Sequence, residues 1–270
     1  MTRLLGCICN QPERLRRVLE PTRSALIASE PVSRWGVGYI DSGQVLLRLH
    51  PRSAQGDVDF FAATDGLCTD YLIAAACRED GLSGNVNTPP FRFRNWMCAM
   101  DELPLPEIEP EQPCWDDINQ VLREHIPSYL CRNITGKTAS EHAFHLFLAM
   151  LNDGGRMEHP NLTVSEGTDA LQGALALIFS QLTKRGVTAR PGNLIVTNGR
   201  FMLAVRLAGP LFVRQYREQL DPKRPENQFK SALVISTDTE TEPNHGFEAV
   251  LERQVVQISR DVRVDRVSLG

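Results

Sequence analysis

The sequence has no uninterrupted apolar run of about 18 residues, the length a membrane-spanning helix needs. Its first residues also lack the charged, apolar, small-residue order of a secretory signal. Both absences point to a soluble, cytoplasmic chain. A basic excess is missing too: 29 lysines and arginines stand against 33 aspartates and glutamates, a net charge of -4. A nucleic-acid surface needs a stripe of cations against phosphates and so has no compositional support. No CxxC pair occurs among the seven cysteines, which lie scattered at 7, 9, 68, 77, 98, 114 and 131. An odd, dispersed set argues against a disulfide framework or a zinc motif and for small reduced core residues. There is no internal repeat, and the one proline-rich stretch, Leu103 to Pro113, is too short to divide the chain into domains.

What remains is 42% hydrophobic over 270 residues, enough for one large core, and the chain reads as a single domain over 1–270. The first nine residues, from Met1 through Thr2 to Cys9, form an apolar strand pattern at the very terminus. Pro12 to Ser29 reads as a helix with Leu15, Val18 and Leu19 on one side, Pro21 breaking or kinking it, and Arg14, Arg16 and Arg17 on its solvated face. Trp35 to Asp41, a Ser42-Gly43 turn and Gln44 to His50 make a hairpin; Tyr71 to Cys77 and Asn95 to Asp101 are further strands. Helices are predicted over Trp115 to His125, Ser140 to Asp153 and Val164 to Arg185, the last stopped by Gly186. Asn193 to Thr197, Asn198-Gly199 and Phe201 to Leu207 predict a hairpin with a type I′ turn, and Ser231 to Thr237 and Gln254 to Leu269 more strands.

Strands, then helices, then strands suggest two packed sheets with helices outside. Several short patterns in order carry a more specific message: the Met1-Thr2-Arg3-Leu4-Leu5-Gly6 start, Trp35-Gly36-Val37-Gly38-Tyr39, Pro51-Arg52, Leu72-Ile73-Ala74, Asn87-Thr88 with Pro90-Phe91, Gly136-Lys137-Thr138 with Ser140-Glu141, and the Asn193 to Leu207 hairpin. Together these resemble the class II glutamine amidotransferases, N-terminal-nucleophile enzymes in which a Met-Cys-Arg-Leu-Leu-Gly start supplies a catalytic cysteine. The resemblance spans nearly the whole chain. It implies an α+β fold, a four-layer αββα sandwich of two mainly antiparallel sheets.

Glutamine hydrolysis needs an activated nucleophile, donors for the tetrahedral oxyanion and charged partners for both ends of the amino acid. At the nucleophile position this chain has Thr2, which has its own amine as base only once Met1 is removed. The family's Leu-Ile-Ala-His-Val-Arg, whose arginine grips the substrate carboxylate, falls on Leu72 to Cys77, so a thiol replaces the guanidinium. Arg78 is one step along, which in a strand means the opposite face. The oxyanion pattern Phe-Ala-His-Asn-Gly falls on Cys98-Ala99-Met100-Asp101-Glu102, which puts carboxylates where donors belong. The ammonium-binding aspartate of Thr-Asp-Ser-Glu falls on Ala139, and Asn-Thr-His-Pro-Phe reads Asn87-Thr88-Pro89-Pro90-Phe91.

The degenerate pocket expected from this resemblance is therefore Thr2, Cys77, Met100, Asp101, Glu102 and Ala139. The expected function is that of a pseudoenzyme that needs no cofactor or metal and works through a protein partner or self-association, with no nucleic acid and no membrane. Two alternatives stand beside it: a Thr2 amidohydrolase acting on an amide other than glutamine, and a small-ligand sensor using the altered pocket, where Asp101 would favour an amine or a metal. Cys7 and Cys9, with Cys77 and Cys98 on neighbouring strands, are weighed as a soft-metal set against the reading of core thiols. His142 and His145, three apart, lack a third ligand at a supporting spacing and read as partly buried or surface histidines. Phe91, Phe93 and Trp96, interleaved with Arg92 and Arg94, read as structural packing rather than a stacking platform.

Overall fold

A computed structural model describes residues 3–20, 23, 27–28, 32–52, 58–77, 82–101, 115–186, 192–223, 227–237 and 246–269. In chain order its elements are β1 (Arg3–Cys9), α1 (Leu15–Leu19), β2 (Ile27–Ala28), β3 (Arg34–Asp41), β4 (Gln44–His50), β5 (Val58–Asp59), α2 (Phe60–Ala63), β6 (Tyr71–Cys77), β7 (Phe91–Phe93) and β8 (Trp96–Met100). Four helices follow: α3 (Trp115–Glu124), α4 (Ser128–Cys131), α5 (Ala139–Asp153) and α6 (Val164–Lys184). In the last third the described elements are strands: β9 (Leu194–Thr197), β10 (Met202–Val205), β11 (Leu211–Gln219), β12 (Gln228–Ser236), β13 (Glu248–Ala249), β14 (Gln254–Ile258) and β15 (Val264–Ser268).

The strands form two large antiparallel sheets. One runs β13-β11-β12-β1-β6-β3-β4 and the other β15-β14-β10-β9-β8-β7. The two-residue side-chain period of strands sorts their residues into layers. In β1, Leu4 and Ile8 join the core between the sheets, while Leu5, Cys7 and Cys9 face outward under α1 and α2. In β8, Met97 and Ala99 face the first sheet, whereas Trp96, Cys98 and Met100 face α3 to α6. Three apolar cores between four layers are the expected αββα sandwich. β1, at the centre of the first sheet, is paired on both sides, to β12 and β6.

The α-helical layer on the second sheet follows its sequence pattern. Phe144, Phe147, Leu148 and Leu151 of α5, and Leu171, Leu175, Ile178 and Leu182 of α6, are all buried in that core. Thr163 and Glu166 form a reciprocal capping box at the start of α6, and Gly186, at φ +66°, follows its end. Two expectations need correction. The helix predicted over Pro12 to Ser29 is a single 3-10 turn (Pro12–Arg14) and the short α1, with Ile27–Ala28 a strand paired to β5. An apolar stripe of three residues was enough to suggest a helix but not its length, and Pro21 itself lies outside the described residues.

The second correction is the turn at Asn198-Gly199. Thr197 pairs with Met202, so the loop has four residues, and Asn198 is absent from the residues with positive φ. Its side-chain oxygen instead accepts hydrogen bonds from Arg200 N (3.0 Å) and Phe201 N (3.3 Å), building the turn locally. The two positive-φ residues of a type I′ turn occur at Ser42 and Gly43, between the paired Asp41 and Gln44.

Candidate functional site

Strands β1, β3, β6 and β12 lie side by side, and β8 faces them from the second sheet. At the end where β6 and β8 terminate, the strand period decides which side chains point between the sheets. Ile73 and Ala75 of β6 lie in the inter-sheet core, so Cys77, two residues on, faces the same way and is buried. Met97 and Ala99 place Asp101 likewise on the inter-sheet side, also buried. Met100 turns the other way, into the core under the helices, where Ala139, the first residue of α5, is also found. Cys77 and Asp101 therefore face the space between the sheets, while Met100 and Ala139 meet one layer further out. Thr2, Arg78 and Glu102 lie outside the described residues.

Sequence reasoning missed Arg34. It is the direct partner of Cys77 in the β3–β6 ladder, and it is 0% exposed. Gly38 and Ile40, further along β3, face the inter-sheet core, so Arg34 belongs to the same face as Cys77. Its Nε donates to Asn87 O at 2.7 Å and its Nη1 to Leu82 O at 3.1 Å. A guanidinium thus sits one strand away from the position where the resemblance asks for one, and it is engaged with the backbone of the loop before β7. The available signal was an arginine in register with the inter-sheet positions of its strand, which are otherwise Gly36, Gly38 and Ile40.

The recognisable motif residues hold the walls. Asn87 Oδ1 accepts from Lys137 N at 2.9 Å while its Nδ2 donates to Ser83 O at 2.8 Å, which ties the loop before β7 to the loop before α5. Thr138 caps α5 by accepting from Glu141 N at 3.1 Å, and the Glu141 carboxylate returns to accept from Thr135 N (3.0 Å) and Gly136 N (2.7 Å). Burial pushes the Glu141 carboxyl above its ordinary range, although these amide donors pull it down. Gly136 is required by close approach, because a Cβ there would meet Asn87 Oδ1 at 2.7 Å and Glu141 Oε2 at 2.8 Å. Asn193, fully buried, accepts from Leu207 N (2.9 Å) and donates to Gly209 O (3.0 Å), shaping the loop after β10. Ser236 Oγ accepts from Leu4 N at 2.7 Å beside the start of β1.

Both histidines of α5 are buried, His142 to 2% and His145 to 1% exposure, more completely than the partly buried or surface placement expected of them. Each Nδ1 lies 2.9 Å from the carbonyl four residues back, Thr138 O and Glu141 O. Nδ1 therefore carries the proton in each, since a carbonyl only accepts. His142 Nε2 then accepts from Arg123 Nε at 2.9 Å. Desolvation holds His145 below the ordinary imidazole value.

The soft-metal set does not assemble. Cys7 and Cys9 face the outer layer of the first sheet, Cys98 the helices of the second, and Cys77 the space between. No group of three potential ligands gathers among the described residues. Burial pushes Cys9 to about 12 and raises Cys7 and Cys98 well above their ordinary values, which disfavours the thiolates that a metal would need. Phe91, Phe93 and Trp96 are packed in the helix-side core, as expected. Among the described residues no helix is long and apolar enough to cross a membrane.

No family model matches the sequence, and no curated protein matches it significantly. Solved structures do match along the full chain. A glutamine aminotransferase class-II domain protein from Silicibacter pomeroyi superposes with a TM-score of 0.61 at 14% identity, covering 99% of each chain. A predicted glutamine amidotransferase from Pseudomonas aeruginosa gives 0.51 at 15% identity, over 97% of this chain and 98% of the other. The glutamine phosphoribosylpyrophosphate amidotransferase of B. subtilis gives 0.52 at 12% identity, over 99% of this chain and 49% of that one. The fold is therefore that of class II glutamine amidotransferase domains, an N-terminal-nucleophile hydrolase fold.

Proposed function

We propose that this chain is an amidotransferase-like domain that has lost glutamine hydrolysis and acts by binding, to a protein partner or to a second copy of itself. The observation that carries the reading is the pairing of Cys77 with Arg34. A thiol stands where a guanidinium would clamp the substrate carboxylate, and the guanidinium beside it is buried against Asn87 O and Leu82 O. That cation braces a wall of the pocket, where a substrate clamp would have to present its fork to the ligand. Asp101 adds a carboxylate on the side where a tetrahedral oxyanion would need donors, and losing one such donor alone costs about a hundred- to thousandfold in rate. Ala139 offers no charge for a substrate ammonium. Glu141, Thr138 and Asn87 keep their hydrogen bonds, so the scaffold persists where the chemistry does not. The reading needs no cofactor and no metal.

The test combines intact-mass spectrometry of natively expressed protein with an assay for glutamate release and a screen of other amides, on wild type and Thr2→Ala. No Thr2-dependent turnover is expected, whether or not Met1 is retained. A mass lacking Met1, with an amide hydrolysed by wild type but not by Thr2→Ala, would overturn the reading in favour of an N-terminal threonine hydrolase. Sedimentation across a hundredfold concentration range tests self-association. A small molecule retained in the intact complex and lost on Asp101→Asn would instead identify the altered pocket as a sensor.

A further inference from the structure

The outer face of the first sheet carries a cleft of its own, on the far side of that sheet from Cys77 and Arg34. Strand parity places its floor. Leu211 and Val213 of β11, and Ala232 and Val234 of β12, join the core between the sheets, whereas Phe212, Leu233 and Ile235 face outward. Arg214, Tyr216 and Ser231 therefore face outward too, with Arg214 paired to Leu233 and Tyr216 to Ser231 in the ladder. α1 lays Arg17 and Val18 over them. The space that remains has a volume of about 100 Å³ and is lined by Arg17, Val18, Arg214, Tyr216, Ser231 and Leu233.

Ser231 makes this more than a gap under a helix. It is 2% exposed, yet its hydroxyl takes no hydrogen-bond partner among the described residues. Unlike Tyr71 Oη and Asn119 Oδ1, which are unpartnered and sealed from solvent, Ser231 Oγ keeps accessible surface, and that surface opens on the cleft. A buried hydroxyl is costly to leave unpaired, and a bound group can pair it here. The charge beside it is also unmatched. Arg17 Nη2 donates to Glu218 Oε1 at 2.7 Å, but Arg214 makes no ion pair among the described residues, and its guanidinium lies over the Tyr216 ring at 5.6 Å. The rest of the lining is apolar: Val18, Leu233 and the Tyr216 ring.

We infer that this cleft binds a small monocarboxylate with a compact apolar body. Arg214 and the Ser231 hydroxyl donate to the carboxylate, and Val18, Leu233 and the Tyr216 ring enclose the body. One unmatched guanidinium suits a monoanion, whereas a phosphate dianion would bring charge and oxygens that apolar walls leave unpaired. The volume sets the size. An apolar cavity of about 150 Å³ admits benzene, so one six-membered ring or a short branched chain is the upper limit. The site does not depend on whether the domain hydrolyses amides.

Isothermal titration calorimetry of the full chain tests this, with benzoate and isovalerate as the ring and branched-chain probes. Benzamide supplies a body without the charge, and acetate the charge without a body. At least one of the two larger carboxylates should bind with a Kd below about 1 mM, with benzamide and acetate at least about tenfold weaker. Arg214→Met keeps an unbranched side chain and removes its charge, and should weaken binding about tenfold; Ser231→Ala, which removes only the hydroxyl, should weaken it about fivefold. Arg16→Gln alters a cation of the same turn that reaches Asp65 instead, and should leave binding unchanged. A Kd above about 1 mM for both larger carboxylates with folded wild type would overturn the inference. So would equal binding by wild type and Ser231→Ala, or binding of benzamide or acetate as tight as that of the better carboxylate.

Discussion

Replacing Gly192 by alanine adds one methyl group where β8 and the segment before β9 touch. A Cβ at residue 192 would lie 2.5 Å from Asp101 Cβ and closer still to its carbonyl carbon and oxygen. Carbon atoms settle at about 3.5–4.0 Å, so the two backbones must part by more than 1 Å, roughly. Backbone is the obstacle, so no rotamer change relieves the contact. The same movement opens the bond from Asp101 N to Asn193 O, now 2.7 Å. Overpacking of about 1–3 kcal/mol and a lost hydrogen bond of about 1 kcal/mol give an expected loss of roughly 3 kcal/mol. For a domain of this size that is about 6–12 °C in Tm. Gly173→Ala is the matched control. Gly173 lies within α6 and its nearest obstacle is Met150 Sδ at 3.6 Å, so the same methyl should stabilise by about 0.5–1 kcal/mol through helix propensity. Urea titrations of both variants, followed by tryptophan fluorescence, decide the matter. Equal stability of Gly192→Ala and Gly173→Ala would refute the close approach at Asp101.

Three further outcomes follow from the same geometry. Asn193→Asp should cost about 2–4 kcal/mol in chemical denaturation, because a carboxylate cannot donate to the carbonyls of Gly209 and Pro210; a loss under about 0.5 kcal/mol would contradict the role of its amide. Arg34→Met leaves the Asn87 and Leu82 carbonyls without their donor, and limited proteolysis should cut the 82–88 segment faster than in wild type. His145 titrates below its ordinary value of 6.5 when folded, mainly through desolvation. The unfolded chain therefore takes up the proton first, and the stability His145 contributes is complete above 6.5 and lost as pH falls through the depressed value. His145→Gln should flatten the fall in urea midpoint between about pH 7 and 5, and an unchanged slope would exclude this histidine as its source.

Much of the molecule was legible along the chain because it rests on local periods. The stripes of α5 and α6, the hairpin through Ser42-Gly43 and the alternation of β1 each report a face that must be buried, and each is buried as read. Local signals failed where another partner competed. Asn198 uses its side chain to close a longer turn than Asn-Gly implies, and Pro12 to Ser29 carries only one helical turn's worth of apolar stripe before β2. His142 and His145 looked unremarkable because nothing in their spacing shows that α3 covers one face of α5 and the second sheet another.

The sequence by itself determined the order of strands and helices that builds the layers, and that Cys77 and Ala139 bring no fixed charge to the places they occupy, since side-chain identity and strand parity need no coordinates. Only the tertiary structure decided that Arg34 lies opposite Cys77, because β3 and β6 are separated by more than thirty residues and meet through ladder register. It alone decided which face of β8 meets the helices, taking Met100, and which meets the first sheet, taking Met97 and Ala99 and by parity Asp101. It also decided that Arg17, Arg214 and Ser231 share a cleft, because the packing of α1 on the sheet fixes which polar atoms are buried and which of those already have a partner.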